Sequence, residues 1–503
     1  MLAAVDSCML VGLEVRVVEV QADIGAGNPG FALVGLAATS VKEARERVRS
    51  AIKNSGLEFP NRRLTINLAP AELRKQGSML DLAIAVGIAL ARASKPPPPR
   101  TAFVGELALD GAVRHVDGVL VAARGLRALG YEQLFVPAAD AAEASLVDGL
   151  AVVPCRSLAG VVSHLLGEER IERHPVAARG PGAGAGEPEH DLSEVHGQEE
   201  ARRALEIAAA GGHHILLCGP PGAGKTMLAR CLPGVLPPLD LEEALEVAQI
   251  RSLLGDLAPD RPLDWTRPFR APHHGVSMAG LIGGGSGLAL PGEITRASHG
   301  VLFLDELAEF QAPVLQALRQ PLESGRVTIT RSGGSVAYPA RFTLVAATNP
   351  CPCGWAGDAV RSCRCTPALV DNYQRRLSGP LMDRIDLKVG VRRVKLATLA
   401  SEPHGEPSEP VRERVVAARR RQLERQGCLN AQLRPSRLRQ LAALEPRSRH
   451  TLERWAEQRG LSARGFHRAW KVARTSADLD GAGAIAERHV LEALGFRLHD
   501  LAA

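Results

Sequence analysis

The stretch GPPGAGKT at 219–226 constrains this chain more than any other, because it fits G-x-x-x-x-G-K-[ST] at every fixed position. A strand-like run, HILLC, precedes it and a helical run, MLARCL, follows, which is the strand–loop–helix setting the pattern requires. Each residue type has a reason. Gly219, Gly222 and Gly224 let the backbone wrap its N–H groups around phosphates, with Pro220, Pro221 and Ala223 completing the loop. Lys225 offers a cation to the β- and γ-phosphates, and Thr226 offers a hydroxyl to Mg²⁺.

Two further segments fit the same site. VLFLDEL (301–307) reads as a buried strand ending in two carboxylates. Asp305 would hold Mg²⁺ and Glu306 would polarise an attacking water. The plain alternative is a strand capped by a solvated Asp-Glu pair. TLVAATN (343–349) is another buried strand, and Asn349 at its end could position the same water. Phosphoryl transfer needs positioning and charge stabilisation rather than covalent chemistry, so these groups suffice for hydrolysis of a nucleoside triphosphate.

At 503 residues the chain exceeds one ordinary domain. Residues 1–165 alternate strands (GLEVRVVEV, RLTINLA, TAFVGELAL, EQLFVP) with helices, and Asp110-Gly111 reads as a hairpin turn. Ser40 with Glu43, and Ser78 with Asp81, predict capping boxes for helices running to Asn54 and Ala93. The proline run at 96–99 stops the second of these. VAARGPGAGAGEPEH (176–190) is aperiodic and Gly/Pro-rich, so 166–190 reads as a flexible linker. The motif-bearing core spans 191–395. After it, EPHGEPSEP (402–410) is a polar break within a helical, Arg-rich unit, 396–503. From Val411 to Arg474 there are 17 Lys/Arg against 5 Asp/Glu, an excess larger than the net charge of +6 for the whole chain. These arginines either contact nucleic-acid phosphates or form a solvated helix face, and aromatic residues that could stack on bases are few. Trp455, Phe466 and Trp470 read as core.

MLAAVDSCMLVGLEV has no basic n-region, so it does not read as a signal peptide. The apolar run Leu82–Ala91 is about half the ~20 residues a membrane span needs. Nine cysteines, an odd number and mostly scattered, do not form a disulfide framework. A cytoplasmic protein is expected. Four of the nine are clustered: CPCGWAGDAVRSCRC carries Cys351, Cys353, Cys363 and Cys365 as two C-x-C pairs, starting two residues after Asn349. In one reading they bind a structural tetrahedral Zn²⁺ that braces the loop behind Asn349. In the other they are reduced thiols on a surface loop. A structural zinc can contribute on the order of 10 kcal/mol to ordering a loop without a core, although C-x-C is tighter than the usual C-x₂-C knuckle. GRVTITRSGGSVAYPARF (325–342) reads as a β-hairpin around Gly333-Gly334, and 275–293 as a flexible Gly-rich segment.

Taken together, HGQEEARRALEIAAAGGHHILLCGPPGAGKT, RAPHHGVSMAGLIGGG, PGEITRASHGVLFLDELAEF, ALRQPLESGRVTITR, ATNPCPCG and RRLSGPLMDRIDL resemble the magnesium-chelatase-like AAA+ ATPases of the YifB/ComM family. The resemblance covers essentially the whole chain and extends, at a distance, to the magnesium chelatase ATPase subunit and to replicative MCM helicases. It implies a multidomain α/β protein: a Lon-protease-like α+β N-terminal domain, an AAA+ core with a doubly wound parallel sheet, and a helical lid. It also implies an ATP-driven homo-oligomeric ring, usually a hexamer, that uses Mg²⁺. Members of the ComM type are DNA helicases that promote branch migration in recombination. Arg384 falls at the arginine-finger position, with Arg375 and Arg376 as rivals and a structural ion pair as the alternative. Arg464 falls at the second sensor arginine. The 325–342 hairpin and the 275–293 insert correspond to elements facing the pore, where Arg331 and the glycines of 283–287 would touch DNA; a plain structural hairpin is the alternative. In the N-terminal domain, Met79 stands where Lon-type proteases carry their serine and Leu120 where they carry their lysine. A Ser–Lys dyad needs both groups, so this domain reads as an assembly or DNA platform rather than a protease. A chelatase-type or protein-remodelling ATPase that does not act on DNA is the other functional class the resemblance leaves open.

Overall fold

A strand buried on both faces is largely apolar, and runs of this kind form the centre of the sheet that carries GPPGAGKT. The computed structural model describes the chain except residues 36–38, 73–74, 76, 177–188, 259–261, 286–288, 332–333, 359, 378, 380, 395–404 and 498–503, and the side chains of 39–42. The chain divides into two compact units, Met1–Gly182 with Leu241–Asp264, and Ala183–Asp240 with Trp265–Ala503. About half of the 166–190 linker, Gly333, Gly287, the start of the 402–410 break, the boundary at 395/396 and the Ser40 cap fall outside the described residues.

In the first unit a mixed seven-stranded sheet runs in the order Gly30–Val34, Arg63–Ala69, Glu14–Gly25, Leu2–Val11, Thr101–Phe103, Gln133–Pro137, Ala151–Cys155. The long Glu14–Gly25 strand alternates buried and more exposed positions over its second half, as a strand with one covered face should. Helix Asp81–Ala93 is almost wholly buried against the sheet, with Gly87 facing Ala22 and Val5. The Ser78–Asp81 capping box does not form. Leu80 holds the cap position without a side-chain bond, and Ser78 contributes only its carbonyl, 3.1 Å from the Asp81 N–H. The Asp81 carboxylate instead takes a two-pronged ion pair from Arg47 at 2.8 and 3.1 Å, because a buried anion gains more from a guanidinium than from a backbone amide. The expected strand TAFVGELAL is divided into Thr101–Phe103 and Glu106–Leu107. The second piece pairs with Val113–Arg114 across the Asp110-Gly111 turn, where Gly111 adopts φ +86°. Helix Leu241–Leu253, which follows the phosphate-loop helix in sequence, packs in this unit; Gln249 accepts from Arg124 at 3.0 Å and the Ser252 carbonyl accepts the Gly118 N–H at 2.9 Å.

In the second unit five parallel strands are ordered Phe269–Arg270, Val301–Leu304, Thr343–Thr348, Ile215–Cys218, Leu387–Gly390. Val301–Leu304 and Thr343–Thr348 are buried at every residue, the signature of a parallel sheet covered on both faces. Helices Ser408–Gln426, Pro435–Leu441, Pro446–Gln458, Ala463–Leu479 and Glu487–Gly495 follow, and their apolar faces join the sheet in one continuous core. Trp470 is part of that core, and Trp455 and Phe466 pack against it, as their sequence context suggested. Among the described residues no helix is long and apolar enough to cross a membrane.

A buried polar knot ties these helices to the sheet. Asp386, just before the last strand, lies 3.2 Å from His213 Nδ1 and 2.7 Å from an Arg468 N–H. The other imidazole nitrogen meets Thr475 Oγ1 at 2.8 Å. Burial alone would push the Asp386 carboxyl up, but the hydrogen bond and charge of His213, with Arg468 beside them, hold it far below the usual carboxylate range. A carboxyl depressed on folding contributes stability that is complete above its unfolded pKa of about 4 and is lost as pH falls below it. Asp386→Asn is therefore expected to lower the unfolding free energy at pH 7 by about 3 kcal/mol, because Arg468 and His213 stay buried without their anion. Chemical denaturation at pH 7 and below pH 4 checks this: the gap between wild type and variant should narrow on acidification.

Candidate functional site

Ligands of open α/β sheets bind beyond the carboxyl ends of the strands, where the strand order reverses. Three such ends lie level here. Cys218 pairs in register with Thr348, and Leu304 with Ala346, so the loops that follow open onto one cleft of about 430 Å³. Its walls include Pro221, Gly222, Ala223, Gly224, Lys225 and Thr226 from the Gly-rich loop, Asp305 and Glu306, and Thr348 and Asn349. The three sequence segments expected to cooperate are therefore brought together.

Gly222 and Gly224 adopt φ +75° and +90°, a region that side-chain-bearing residues rarely occupy. At Gly219 the constraint is space, since a Cβ would lie 2.1 Å from the Val391 carbonyl oxygen. The Lys225 ammonium donates to the carbonyls of Gly219 and Pro220 at 2.6 and 3.0 Å and to Asn349 Oδ1 at 3.1 Å. Burial lowers its pKa, an effect that Cys218, Asp305 and Glu306 oppose. A cation short of solvent is one that an arriving polyanion stabilises. Thr226 Oγ1 donates to Asp305 Oδ2 at 2.9 Å, which sets a hydroxyl and a carboxylate side by side as hard oxygen donors suited to Mg²⁺. Glu306 has a left-handed backbone, φ +51°, and its N–H donates to Asp305 Oδ1 at 2.9 Å. Such strain costs on the order of 1–3 kcal/mol and concentrates at functional positions.

Two neighbours escaped the sequence reading. His274 Nδ1 lies 3.3 Å from Glu306 Oε2; the signal was the paired histidines of RAPHHG. Gln198, at φ +57°, donates to the Ala223 carbonyl at 3.3 Å from behind the loop, and the sequence marks it only by the preceding His-Gly.

The arginines lie elsewhere. Neither Arg384 nor Arg464 lines this cleft. The Arg384 side chain is 11% exposed and ion-paired with Glu323, while its carbonyl accepts from Arg468 at 2.7 Å. Arg464 is exposed at the start of helix Ala463–Leu479. Arg375 pairs with Asp371 one helical turn away, and Arg376 lines a small cavity with Arg319 and Met382.

Arg326–Arg331 and Gly334–Pro339 form the expected hairpin, with Val327, Ile329, Val336 and Tyr338 on its buried face. Gly283–Gly284 pairs with Leu290–Pro291 and lies against it. A Cβ on Gly283 would stand 2.7 Å from Ile329 Cδ1, and one on Gly284 2.8 Å from Arg331 Nη2. Arg331 and the glycine insert thus occupy one surface. The four clustered cysteines also converge, with all Sγ atoms within 4.8 Å of one another.

Comparison with known proteins accounts for nearly every segment. Residues 191–399 match the family described as magnesium chelatase, subunit ChlI; 20–140 match subunit ChlI of Mg-chelatase; and 405–497 match the ChlI C-terminal family. The chain is 43% identical to YifB of Escherichia coli over 504 residues, covering 99% of this chain and 97% of that protein. It is 42% identical to the competence protein ComM of Haemophilus influenzae over 502 residues, with the same two coverages. Likeness to the magnesium-chelatase 38 kDa subunit of Rhodobacter capsulatus is 30% over 185 residues, 32% of this chain and 51% of that protein.

Proposed function

Because the chain belongs to the YifB/ComM family of magnesium-chelatase-like proteins, we propose that it is an ATP-hydrolysing AAA+ motor that works on DNA, as a branch-migration helicase in recombination. The convergence of Lys225, Thr226, Asp305, Glu306 and Asn349 in one cleft carries the ATPase part. The loop amides and Lys225 bind the phosphates, Glu306 draws the proton from the attacking water, and Asn349 orients that water. Thr226 and Asp305 would hold Mg²⁺, which neutralises phosphate charge when bound. His274 keeps the Glu306 carboxylate aimed until the substrate arrives. A structural Zn²⁺ on the four cysteines completes the cofactor set.

On this reading 191–395 is the ATPase core, 396–503 the lid, 166–190 a linker, and 1–165 a Lon-like platform without a catalytic dyad. A leucine in place of an amine supports the last point: Leu120 contributes only its backbone N–H, 2.7 Å from a Glu143 carboxylate oxygen. The family's ring, usually hexameric, supplies the missing half of each site, since Arg384 reaches a neighbour's γ-phosphate and Arg464 answers nucleotide from the lid. The full-length likeness to a competence protein favours DNA over chelation or protein remodelling as the task, and the protein is taken to act in the cytoplasm.

Branched-DNA unwinding with ATP tests the whole reading. Wild type should move a junction. Lys225→Ala should lose nucleotide binding, and Glu306→Gln should bind but turn over on the order of 100-fold more slowly or less. A wild type that hydrolyses ATP yet moves no junction removes the helicase assignment alone. If the finger acts between subunits, mixing inactive Arg384→Ala with inactive Lys225→Ala should restore part of the ATPase activity, because mixed rings contain some intact interfaces; no recovery at any ratio rejects a trans-acting Arg384. Arg331→Ala should keep basal ATPase activity and lose most of its stimulation by DNA, and unchanged stimulation would move the DNA contact off the hairpin.

A further inference from the structure

The loop from Pro352 to Thr366 lacks a core of its own. Cys351 at its base is buried, but Val360 in its middle is 79% exposed. A loop of this kind holds one shape only if something staples it. The staple is visible in the sulfur positions. Cys351, Cys353 and Cys363 have Sγ atoms 3.4, 3.7 and 3.6 Å apart, and Cys365 completes the group within 4.8 Å. A tetrahedron of thiolates around Zn²⁺ at about 2.3 Å has edges of about 3.8 Å, so one ion fits this shell. Backbone N–H groups already point at the sulfurs, Ala356 to Cys351 at 3.3 Å and Cys365 to Cys363 at 3.4 Å, the outer-sphere donors that orient metal thiolates.

The loop also presses on the nucleotide cleft. Its first turn closes with the Gly354 N–H on the Cys351 carbonyl at 2.9 Å, and Gly354 adopts φ +84°. A Cβ at Gly354 would lie 2.5 and 2.8 Å from Pro221 Cδ and Cγ, and 3.9 Å from Asn349 Cγ. The turn from Cys351 to Gly354 therefore rests directly on the Gly-rich loop. On its far side Trp355 packs against the guanidinium groups of Arg361 and Arg393, 4.7 and 4.8 Å from its ring centre. Arg393 lies two residues beyond Val391, whose carbonyl walls Gly219. The knuckle so touches the phosphate-binding loop at Pro221 and, through Trp355, the segment that follows strand Leu387–Gly390.

We infer that Cys351, Cys353, Cys363 and Cys365 bind one Zn²⁺, and that the resulting knuckle is a strut holding Pro221 and Asn349 in place around the nucleotide. The strut rests on the nucleotide-site reading above; the metal site does not. Zinc binding replaces the four thiol protons, which leave to solvent. Four thiolates fill the coordination sphere, so the ion positions the loop and takes no part in hydrolysis.

The test separates metal, strut and nucleotide site. Protein purified without chelator is analysed for zinc by mass spectrometry and titrated with a fluorescent ATP analogue. One zinc per chain is expected. Extraction with a strong chelator should weaken nucleotide affinity by about tenfold or more, and Zn²⁺ added back should restore it. Gly354→Ala keeps all four ligands but drives a methyl into Pro221, so it should retain zinc and still lose affinity. Cys363→Ser should lose both, whereas Cys363→His, which keeps a zinc ligand, should recover part of each. Zinc well below one per chain overturns the metal site. Wild-type affinity in zinc-loaded Gly354→Ala, and equally in protein stripped of zinc, overturns the strut. Wild type with full zinc and no nucleotide binding overturns the nucleotide reading, and the strut with it, while the metal site stands on its own count.

Discussion

Everything in the proposed site depends on strand register. Parallel pairing sets Cys218 level with Thr348 and Leu304 level with Ala346, so a cation, two carboxylates and an amide from segments far apart in sequence share one cleft. A slip of one residue would turn each strand's side chains to the opposite face and separate the groups. Burial on both faces protects the register, because every position of Val301–Leu304 and Thr343–Thr348 would lose its environment together. The sheet is then fixed from its other end. Asp386 bonds both to His213, which leads into strand Ile215–Cys218, and to Arg468 of the following helices, which also grips the Arg384 carbonyl. The helical region and the residues before the last strand cannot shift independently without exposing a buried ion pair.

What could be read from the sequence was whatever local chemistry announces. The Gly-rich loop needs glycines at fixed offsets, the Asp-Glu pair ends an apolar run, and the 326–339 hairpin alternates, so each is legible within ten residues. The Ser78–Asp81 cap was misjudged because a short-range bond competes with partners the sequence does not order: Arg47 lies 34 positions away and wins with charge. Contacts between distant segments were invisible for the same reason. Nothing in WAGDAV says that the turn before it touches Pro221, and nothing in LEEALEVAQIRSL says that this helix packs with residues 1–182. Its low amphipathicity, with apolar and charged residues on all sides, concealed the face it buries.

That helix gives the chain an unusual route. The polypeptide leaves the phosphate-loop helix Lys225–Val235, contributes Leu241–Asp264 to the N-terminal unit, and returns as strand Phe269–Arg270. Within the N-terminal unit the excursion is anchored by polar bonds: Ser252 Oγ donates to the buried Glu143 carboxylate, and Gln249 accepts from Arg124 at 3.0 Å. One end of the excursion is thus the phosphate-loop helix, and the other is the edge strand of the sheet.

The arginine-rich helices were expected to meet nucleic-acid phosphates or to form a solvated face, and the structure ties several of their arginines into the protein instead. Arg414 is tied to Glu206 and Glu406 at 2.6–2.9 Å. Arg425 and Arg474 both hold the buried Asp478 at 2.6–3.2 Å, and Arg419 and Arg421 donate to carbonyls of Ala209 and Asp478 at 2.8 Å. A guanidinium committed to a buried carboxylate cannot also neutralise a DNA phosphate without exposing its partner, which would cost several kcal/mol. Much of the positive excess is therefore structural, holding polar helices to the sheet where apolar contacts are few. If the chain acts on DNA as proposed above, the phosphate contact falls to cations left in solvent such as Arg331, carried on a hairpin whose opposite face is buried and next to a glycine insert. Binding through fewer phosphates is weaker and more easily reversed, which would suit the proposed motor, since it must release DNA as well as grip it.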